Sequence, residues 1–511
     1  MSFHSILFER SVDGGLTESV EPPDCFRDLN LDQLVTAITA GRADYGLAPF
    51  FHVSLREIDG IRYRQEALQD LEVTELWERI ALFAEEMRSM RDQLIQAGKL
   101  HYRFQQQAWF LQAVATYQEA ITGLSEGLTG IDLRSRAFRA FRDYLAGYVK
   151  SSGFASFVTE TKRLQEQLGG IRYCLHIEGN RIRVSRFEGQ EDYTAEVEES
   201  FRRFKRGAPK DYRMKISDWV DMNHVEAGIL ERVALLYPDL FRAIDAFCQR
   251  NREYLDGSIG QFDREVQFYV AYLQFISRFK PAGLRFCYPS VTDQSKEIAA
   301  QKTFDLALAN KLVPDHKPVV TNDFRLGGRE RILVVTGPNQ GGKTTFARTF
   351  GQLHYVASLG LPVPGEAASL FLADQIFTHF EREENLDDLR GKLEDDLVRI
   401  HDILGQATPA SILIMNEIFT STTLRDSTSL GKKVLKRVME LDLLCVCVTF
   451  VDELSSLGPA TVSMVSGVSE QDPTERTFKI ERRPADGRAY AVAIAAKHGL
   501  TAERLKERLV R

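Results

Sequence analysis

The stretch from Arg331 to Phe350 restricts the fold most. Arg331-Ile332-Leu333-Val334-Val335 is a short apolar run of strand character. Thr336-Gly337-Pro338-Asn339-Gln340-Gly341-Gly342-Lys343-Thr344 follows, and Gly337 to Thr344 has the G-x-x-x-x-G-K-[ST] spacing of a phosphate-binding loop. Thr345 to Phe350 carries no helix breaker and reads as a helix start. Strand, glycine loop and helix in this order predict an α/β P-loop NTPase.

The chemistry requires these residue types. Glycines allow backbone N–H groups to turn inward around phosphate oxygens. The N-terminus of the following helix adds its dipole. Lys343 is spaced to reach the β- and γ-phosphates, and the Thr344 hydroxyl to ligate Mg²⁺. ATP with Mg²⁺ is therefore the expected ligand, held by Gly337 to Thr345. A P-loop also needs a second strand ending in acidic groups. Ser411-Ile412-Leu413-Ile414-Met415-Asn416-Glu417 is the candidate. Glu417 is placed to act as general base on the attacking water. Asn416 stands where an Asp usually helps hold Mg²⁺; it keeps a carbonyl acceptor and loses the charge. The hydroxyl-rich segment Thr420 to Asp426 either contacts nucleotide across a subunit boundary or is a plain turn. A third apolar strand is expected from Leu443 to Thr449.

Composition bounds the remainder. At 511 residues the chain has room for about three domains. Its 44% apolar and 27% charged content is that of an ordinary globular protein. The net charge of −7 argues against a wholly basic surface but leaves room for one basic face. The N-terminus lacks a basic segment followed by a long apolar one, and no run reaches transmembrane length, so a cytoplasmic protein without a membrane anchor is expected. The six cysteines are scattered without a C-x-x-C pair, which argues against a zinc site or a disulfide framework.

The order of segments is informative. Residues 1–60 are mixed and lead into a helical region over 61–170, where apolar residues recur at three- and four-residue steps. At 171–189 the period changes to the alternation of a β-hairpin around Glu178-Gly179-Asn180. A basic run, FRRFKRGAPKDYRMK, follows at 201–215 with seven Lys or Arg. Helical pattern returns over 222–280, a Pro-rich polar linker is expected to about 330, and the nucleotide domain fills the remainder. The expected division is 1–60, 61–170, a β-containing insertion at 171–221, a helical return at 222–300, and the ATPase domain at 301–511. A long helical arm with a small distal module joined to an ATPase head would give this order.

Together these segments resemble the MutS family of DNA mismatch-repair ATPases. Pro338-Asn339 and the double glycine Gly341-Gly342 are similar to that family's loop, roughly TGPNMGGKS. Ile414 to Ile418 is similar to its second acidic strand. Asp426 matches the Asp closing the next loop. Thr449 and Glu453-Leu454 match its T-H-x-x-E-L segment. Pro318-Val319-Val320-Thr321-Asn322 looks like the stretch that packs on the adenine, and Ile61 to Leu68 like the helix opening the core and lever region. The resemblance implies an ABC-type head with a mixed sheet, preceded by a mainly helical lever and core bearing a clamp-like insertion. It also implies homodimerisation through the heads, with nucleotide sandwiched at the seam.

Departures from the family pattern sharpen the expectations. The chain starts almost directly at the core region, without room for the family's mismatch-reading domains. The serine of the family's GxSTF segment is absent where Leu389 to Leu393 aligns, with Gly391 in its place. The histidine of T-H-x-x-E-L is Phe450. With Asn416, three polar elements of the catalytic apparatus are altered, so hydrolysis is expected to be slow.

The insertion occupies the place of the family's DNA clamp. Arg181, Arg183 and Arg186 are expected to share a hairpin face, and Arg202, Arg203, Lys205 and Arg206 follow. Such cations can hold phosphates, or can be a solvated surface. Two functions compete: an ATP-switched, DNA-binding repair protein that reads DNA shape, branched or junction DNA included, and a nucleotide-dependent scaffold with weak ATPase and no DNA specificity. A transporter-type ATPase is disfavoured, because its helical insert follows the P-loop and it carries an LSGGQ-like segment.

Overall fold

A computed structural model of the protein describes residues 3–10, 18–190, 222–381, 391–469 and 475–485. The chain divides into two compact units, one of Met1–Phe3, Leu71–Leu133 and Arg139–Asp263, the other of His4–Asp70, Arg134–Phe138 and Arg264–Arg511.

The first unit is built on two long helices, Thr74–Lys99 and Arg103–Thr129. Leu76, Ile80, Phe83, Met87 and Met90 repeat at steps of three and four, which gathers them into one buried stripe. The three residues between these helices make them antiparallel neighbours. Ser152–Gly169 and Pro238–Arg250 pack with the second long helix around Leu111, Val114, Leu164, Ile244 and Phe247. A hairpin of β1 (Tyr173–Glu178) and β2 (Arg181–Arg186) turns at Gly179, whose φ is 60°. The same unit contains His224–Leu236, started by a capping box of Asn223 and Glu226.

The second unit carries twelve strands among the described residues: β3 (Phe286–Cys287), β4 (Ser290–Thr292), β5 (Ile298–Thr303), β6 (Asn322–Leu326), β7 (Ile332–Thr336), β8 (Val363–Pro364), β9 (Ala367–Phe371), β10 (Ile376–His379), β11 (Ile412–Asn416), β12 (Leu444–Val448), β13 (Thr461–Val468) and β14 (Arg476–Arg482). Six form one sheet in the order β10-β11-β12-β7-β13-β14. The first five are mutually parallel and β14 is antiparallel to β13. Strands β7, β11 and β12 are buried along their whole length, which explains their unbroken apolar sequences. One face packs Ile332, Val334, Leu413, Met415, Cys445 and Cys447 against the helices Lys392–Gln406 and Leu424–Glu440. The helix Lys343–Ser358 is buried along nearly its whole length. This is a mixed α/β arrangement around a largely parallel sheet. Among the described residues no helix is long and apolar enough to cross a membrane.

Two expectations drawn from segment order are corrected. The supposed linker before residue 330 is folded: it supplies strands to a four-stranded sheet in the order β4-β9-β5-β6, and the short helix Leu306–Leu312. Its strands are short and partly exposed, so their apolar signal is weak. Residues His4–Asp70 and Arg264 onward belong to the unit containing the large sheet, rather than to a separate lead-in and a helical return ending at 300. Contacts distant in sequence hold them there. Ser5 Oγ donates to Glu265 at 2.7 Å, Tyr269 Oη donates to the Ile6 carbonyl at 2.9 Å, and Tyr63 Oη to the Ser5 carbonyl at 2.7 Å.

Burial gives the helix Lys343–Ser358 a pH signature. The His354 ring hydrogen-bonds through Nδ1 to the Phe350 carbonyl at 2.8 Å, while Nε2 is buried without a protein partner. Burial pushes its pKa down from 6.5 to about 4. The folded state therefore keeps this ring neutral while the unfolded chain takes up a proton. The stability from the neutral ring is fully present above about pH 6.5 and is lost as pH falls toward 4, by about 3 kcal/mol in all at about 1.4 kcal/mol per unit. Urea unfolding across this range, compared with His354→Gln, is expected to show the excess slope in the wild type alone. Equal slopes would refute the assignment.

Candidate nucleotide site

The parallel strands β7, β11 and β12 end side by side, and the loops leaving their carboxyl ends carry the expected site residues. Open α/β sheets bind ligands outside that edge. From Thr336, at the end of β7, the chain turns through Gly337 at φ 119°, Gln340 at φ 59° and Gly342 at φ 89° into the helix beginning at Lys343. The loop presses against β13. Ser466 Oγ donates to the Gly341 carbonyl at 2.7 Å, and a Cβ on Gly341 would lie 2.2 Å from that oxygen. A side chain there would displace Ser466, and Gly342 takes the left-handed backbone that glycine adopts without strain.

Lys343 is 4% exposed. Its ammonium donates to the carbonyls of Gly337 at 3.1 Å and Pro338 at 3.0 Å. Burial lowers its pKa, the Glu417 carboxylate raises it again, and Arg476 adds to the lowering. Thr344 Oγ1 donates to Asn416 Oδ1 at 2.9 Å, tying the loop to the end of β11. Strand β12 lies between β7 and β11, so this bond spans two strand spacings. Glu417 follows Asn416 at φ 57°, with its N–H donated to the Val448 carbonyl at 2.9 Å. Burial raises the carboxyl pKa, Lys343 opposes it, and Glu381 adds to the rise.

These residues fit Mg²⁺ and a polyphosphate. The loop has the cramped glycine geometry of a phosphate cradle. The Thr344 hydroxyl and Asn416 carbonyl form a paired oxygen set suited to a hard cation that keeps most of its waters.

Other expected residues are dispersed. Val319 and Val320 are half-buried just before β6. Asn322, two residues on, clips β6 to β14: its amide donates to the Phe478 carbonyl at 3.1 Å and accepts from the Ile480 N–H at 2.8 Å. Thr345 accepts from Thr349 Oγ1 at 2.8 Å through its carbonyl. In the hydroxyl-rich segment, Thr423 caps the helix Leu424–Glu440 and donates to Asp426 Oδ2 at 2.8 Å, so those two side chains are engaged locally. Gly391 is the cap residue of Lys392–Gln406; Leu389 and Arg390 lie outside the described residues.

The hairpin corrects the arginine expectation. Register pairs Arg181 with Glu178 and Arg183 with His176, which puts both arginines on the polar face. Arg186 pairs with Tyr173 on the opposite, apolar face, because an odd step of three reverses the side in a strand. There it donates to the Leu236 carbonyl and its guanidinium lies 5.1 Å from the Tyr237 ring. Arg202, Arg203, Lys205 and Arg206 lie outside the described residues.

The structure adds three contacts of the loop that the sequence does not announce. Ser466 abuts Gly341, Arg476 Nε donates to the Asn339 carbonyl at 3.2 Å, and Phe450 covers Lys343. Alternation in Thr461–Val468 and Arg476–Arg482 signals two strands but not that β13 lies beside β7.

Comparison with known proteins agrees with this geometry. Residues 333–507 match the family model of MutS domain V. An Endonuclease MutS2 from Thermomicrobium roseum is 31% identical over 191 residues, covering 36% of this chain and 24% of the relative. An Endonuclease MutS2 from Thermus thermophilus is 28% identical over 197 residues, 38% of this chain and 26% of the relative. A DNA mismatch repair protein MutS from Erythrobacter litoralis is 29% identical over 227 residues, 43% of this chain and 26% of the relative. The matched part thus spans about a quarter of each relative's length. The large sheet and the loop after β7 form a mixed α/β domain consistent with that match to MutS domain V. The similarity to MutS proteins extends over about 40% of the chain.

Proposed function

We propose that this chain is a MutS-like ATPase that couples ATP binding and slow hydrolysis to DNA binding in repair, and that it reads DNA shape rather than mismatched bases. The observation carrying the ATPase reading is the 2.9 Å bond from Thr344 to Asn416, which joins the phosphate-loop motif to the second strand beside Glu417. The family matches support DNA repair as the setting.

In this reading, loop N–H groups and the Lys343 ammonium hold the β- and γ-phosphate oxygens. Thr344 and Asn416 would hold Mg²⁺, which would supply positive charge to those phosphates. Glu417 accepts a proton from the water whose oxygen bonds to the γ-phosphorus as the bond to the bridging oxygen breaks, releasing ADP and phosphate. A carboxyl raised by burial is a better proton acceptor than an exposed one. Asn416 brings no negative charge to the cation, which keeps turnover slow. Two such heads close on nucleotide as a homodimer, and light scattering of Glu417→Gln with ATP is expected to show the dimer.

DNA is held by cations of the inserted segment, which bind phosphates and carry no base information. Branched DNA offers more backbone to paired arms than linear duplex, so junctions bind more tightly, and a single mismatch adds little. Replacing Arg202, Arg203, Lys205 and Arg206 with Ala is expected to weaken all DNA substrates about equally. It should also flatten the salt dependence by up to about 0.9 for each phosphate no longer neutralised. Strong preference for one mismatch over homoduplex would refute shape reading.

The scaffold alternative draws on Asn416, Gly391 and Phe450, which replace polar groups of the family pattern. It predicts ATP binding without salt-dependent DNA affinity.

A further inference from the structure

The Phe450 ring lies over the Lys343 ammonium, with Nζ 4.6 Å from the ring centroid. Lys343 is 4% exposed and Phe450 46%, so the ring shields the cation on one side and faces solvent on the other. Its backbone is pinned on both flanks. Thr449 donates its N–H to the Val335 carbonyl at 3.1 Å, and the Val451 N–H donates to Thr449 Oγ1 at 3.1 Å. Val451 itself is buried in the core beside Phe419 and Leu454. An apolar ring this exposed adds little to the core, and among the described residues the cation under its face is the loop lysine.

We propose that Phe450 is a positioning residue for nucleotide binding, its ring face holding the Lys343 ammonium at the mouth of the phosphate loop. This rests on the ATP reading given above. The ammonium is otherwise held by the carbonyls of Gly337 and Pro338. Those hydrogen bonds compete with phosphate oxygens for the same N–H donors. A phenyl face attracts the cation through its quadrupole and takes up no donor in a directed hydrogen bond, so it can stay in place when phosphate arrives. The ring offers the γ-phosphate no hydrogen bond of its own. The contact is present before nucleotide arrives, so it acts by holding the ammonium ready and lowering the ordering cost of binding, which shows in affinity rather than in the chemical step.

The experiment compares ATP dissociation constants and steady-state kinetics for wild type, Phe450→Leu, Phe450→Trp and protein carrying ring-fluorinated phenylalanine at position 450. Fluorination keeps the ring's shape and weakens its negative face. Phe450→Leu is expected to raise Kd and KM about fivefold, within the range of a desolvated cation–π contact, and to lower kcat/KM by the same factor. Phe450→Trp is expected to bind at least as tightly as wild type, and affinity should fall stepwise with each added fluorine. Wild-type affinity in both the Leu and the fluorinated proteins would overturn the inference, as would a loss confined to kcat. If Phe450→Leu fails to fold, the fluorinated series decides alone. Wild-type ATP affinity that Lys343→Ala leaves unchanged would sink the nucleotide reading and this inference with it. A Lys343-dependent affinity indifferent to fluorination sinks this inference only.

Discussion

Glu417→Gln is expected to lower ATP turnover about a hundredfold or more while leaving ATP binding in place, the scale on which a positioned general base contributes. Glu417 stands at the end of β11 at a left-handed φ of 57°, held by its N–H bond to the Val448 carbonyl. The amide of Gln has nearly the same shape and hydrogen-bonding reach, so the substitution should preserve the backbone turn. It removes the group that accepts a proton. It also removes the negative charge that raises the Lys343 pKa against the effect of burial. Single-turnover hydrolysis with excess enzyme separates this loss from slow product release. Turnover at the wild-type rate would show that Glu417 is not the base.

Lys343→Ala is the second large effect: ATP affinity should fall at least about tenfold, equivalent to roughly 1.4 kcal/mol. The ammonium is buried against two loop carbonyls, so its removal costs both the phosphate interaction and the pairing of Gly337 and Pro338. Thermal melting should separate these consequences. The variant folds if melting remains cooperative, and calorimetric titration then measures the effect on nucleotide alone. Unchanged ATP affinity in a folded variant would mean that the loop holds no phosphate.

The candidate site was largely legible because its residues sit in contiguous motifs. The loop, its strand and its helix follow one another from Ile332 to Ser358, and the second strand announces itself as an apolar run ending at Asn416-Glu417. Strands buried on both faces need no alternation, so Ile412–Asn416 and Leu444–Val448 stand out by composition. What was not legible depends on contacts between distant segments. Nothing near Gly341 in the chain announces Ser466, and the motif match that singled out Phe450 does not announce its contact with Lys343, which arises because β12 is hydrogen-bonded beside β7. The strands β4, β5 and β6 were read as linker because they are short and carry polar residues on their exposed sides. The arginine misplacement has a simple origin: Arg181 and Arg183 differ by two residues and Arg186 by three more, so one of the three must face the other way.

In the proposed function, nucleotide at this site changes the protein's hold on DNA. Coupling of that kind is reciprocal, so ATP must alter DNA affinity by the same factor by which DNA alters ATP affinity. The direct measurement uses Glu417→Gln, which binds ATP without consuming it, and a four-way DNA junction. The junction's dissociation constant is measured with and without ATP at several salt concentrations. Salt-dependent binding that ATP shifts by at least about fivefold, the lower end of typical coupling, is expected. Junction affinity that is identical with and without ATP, in a protein that demonstrably binds ATP through Lys343, would contradict it.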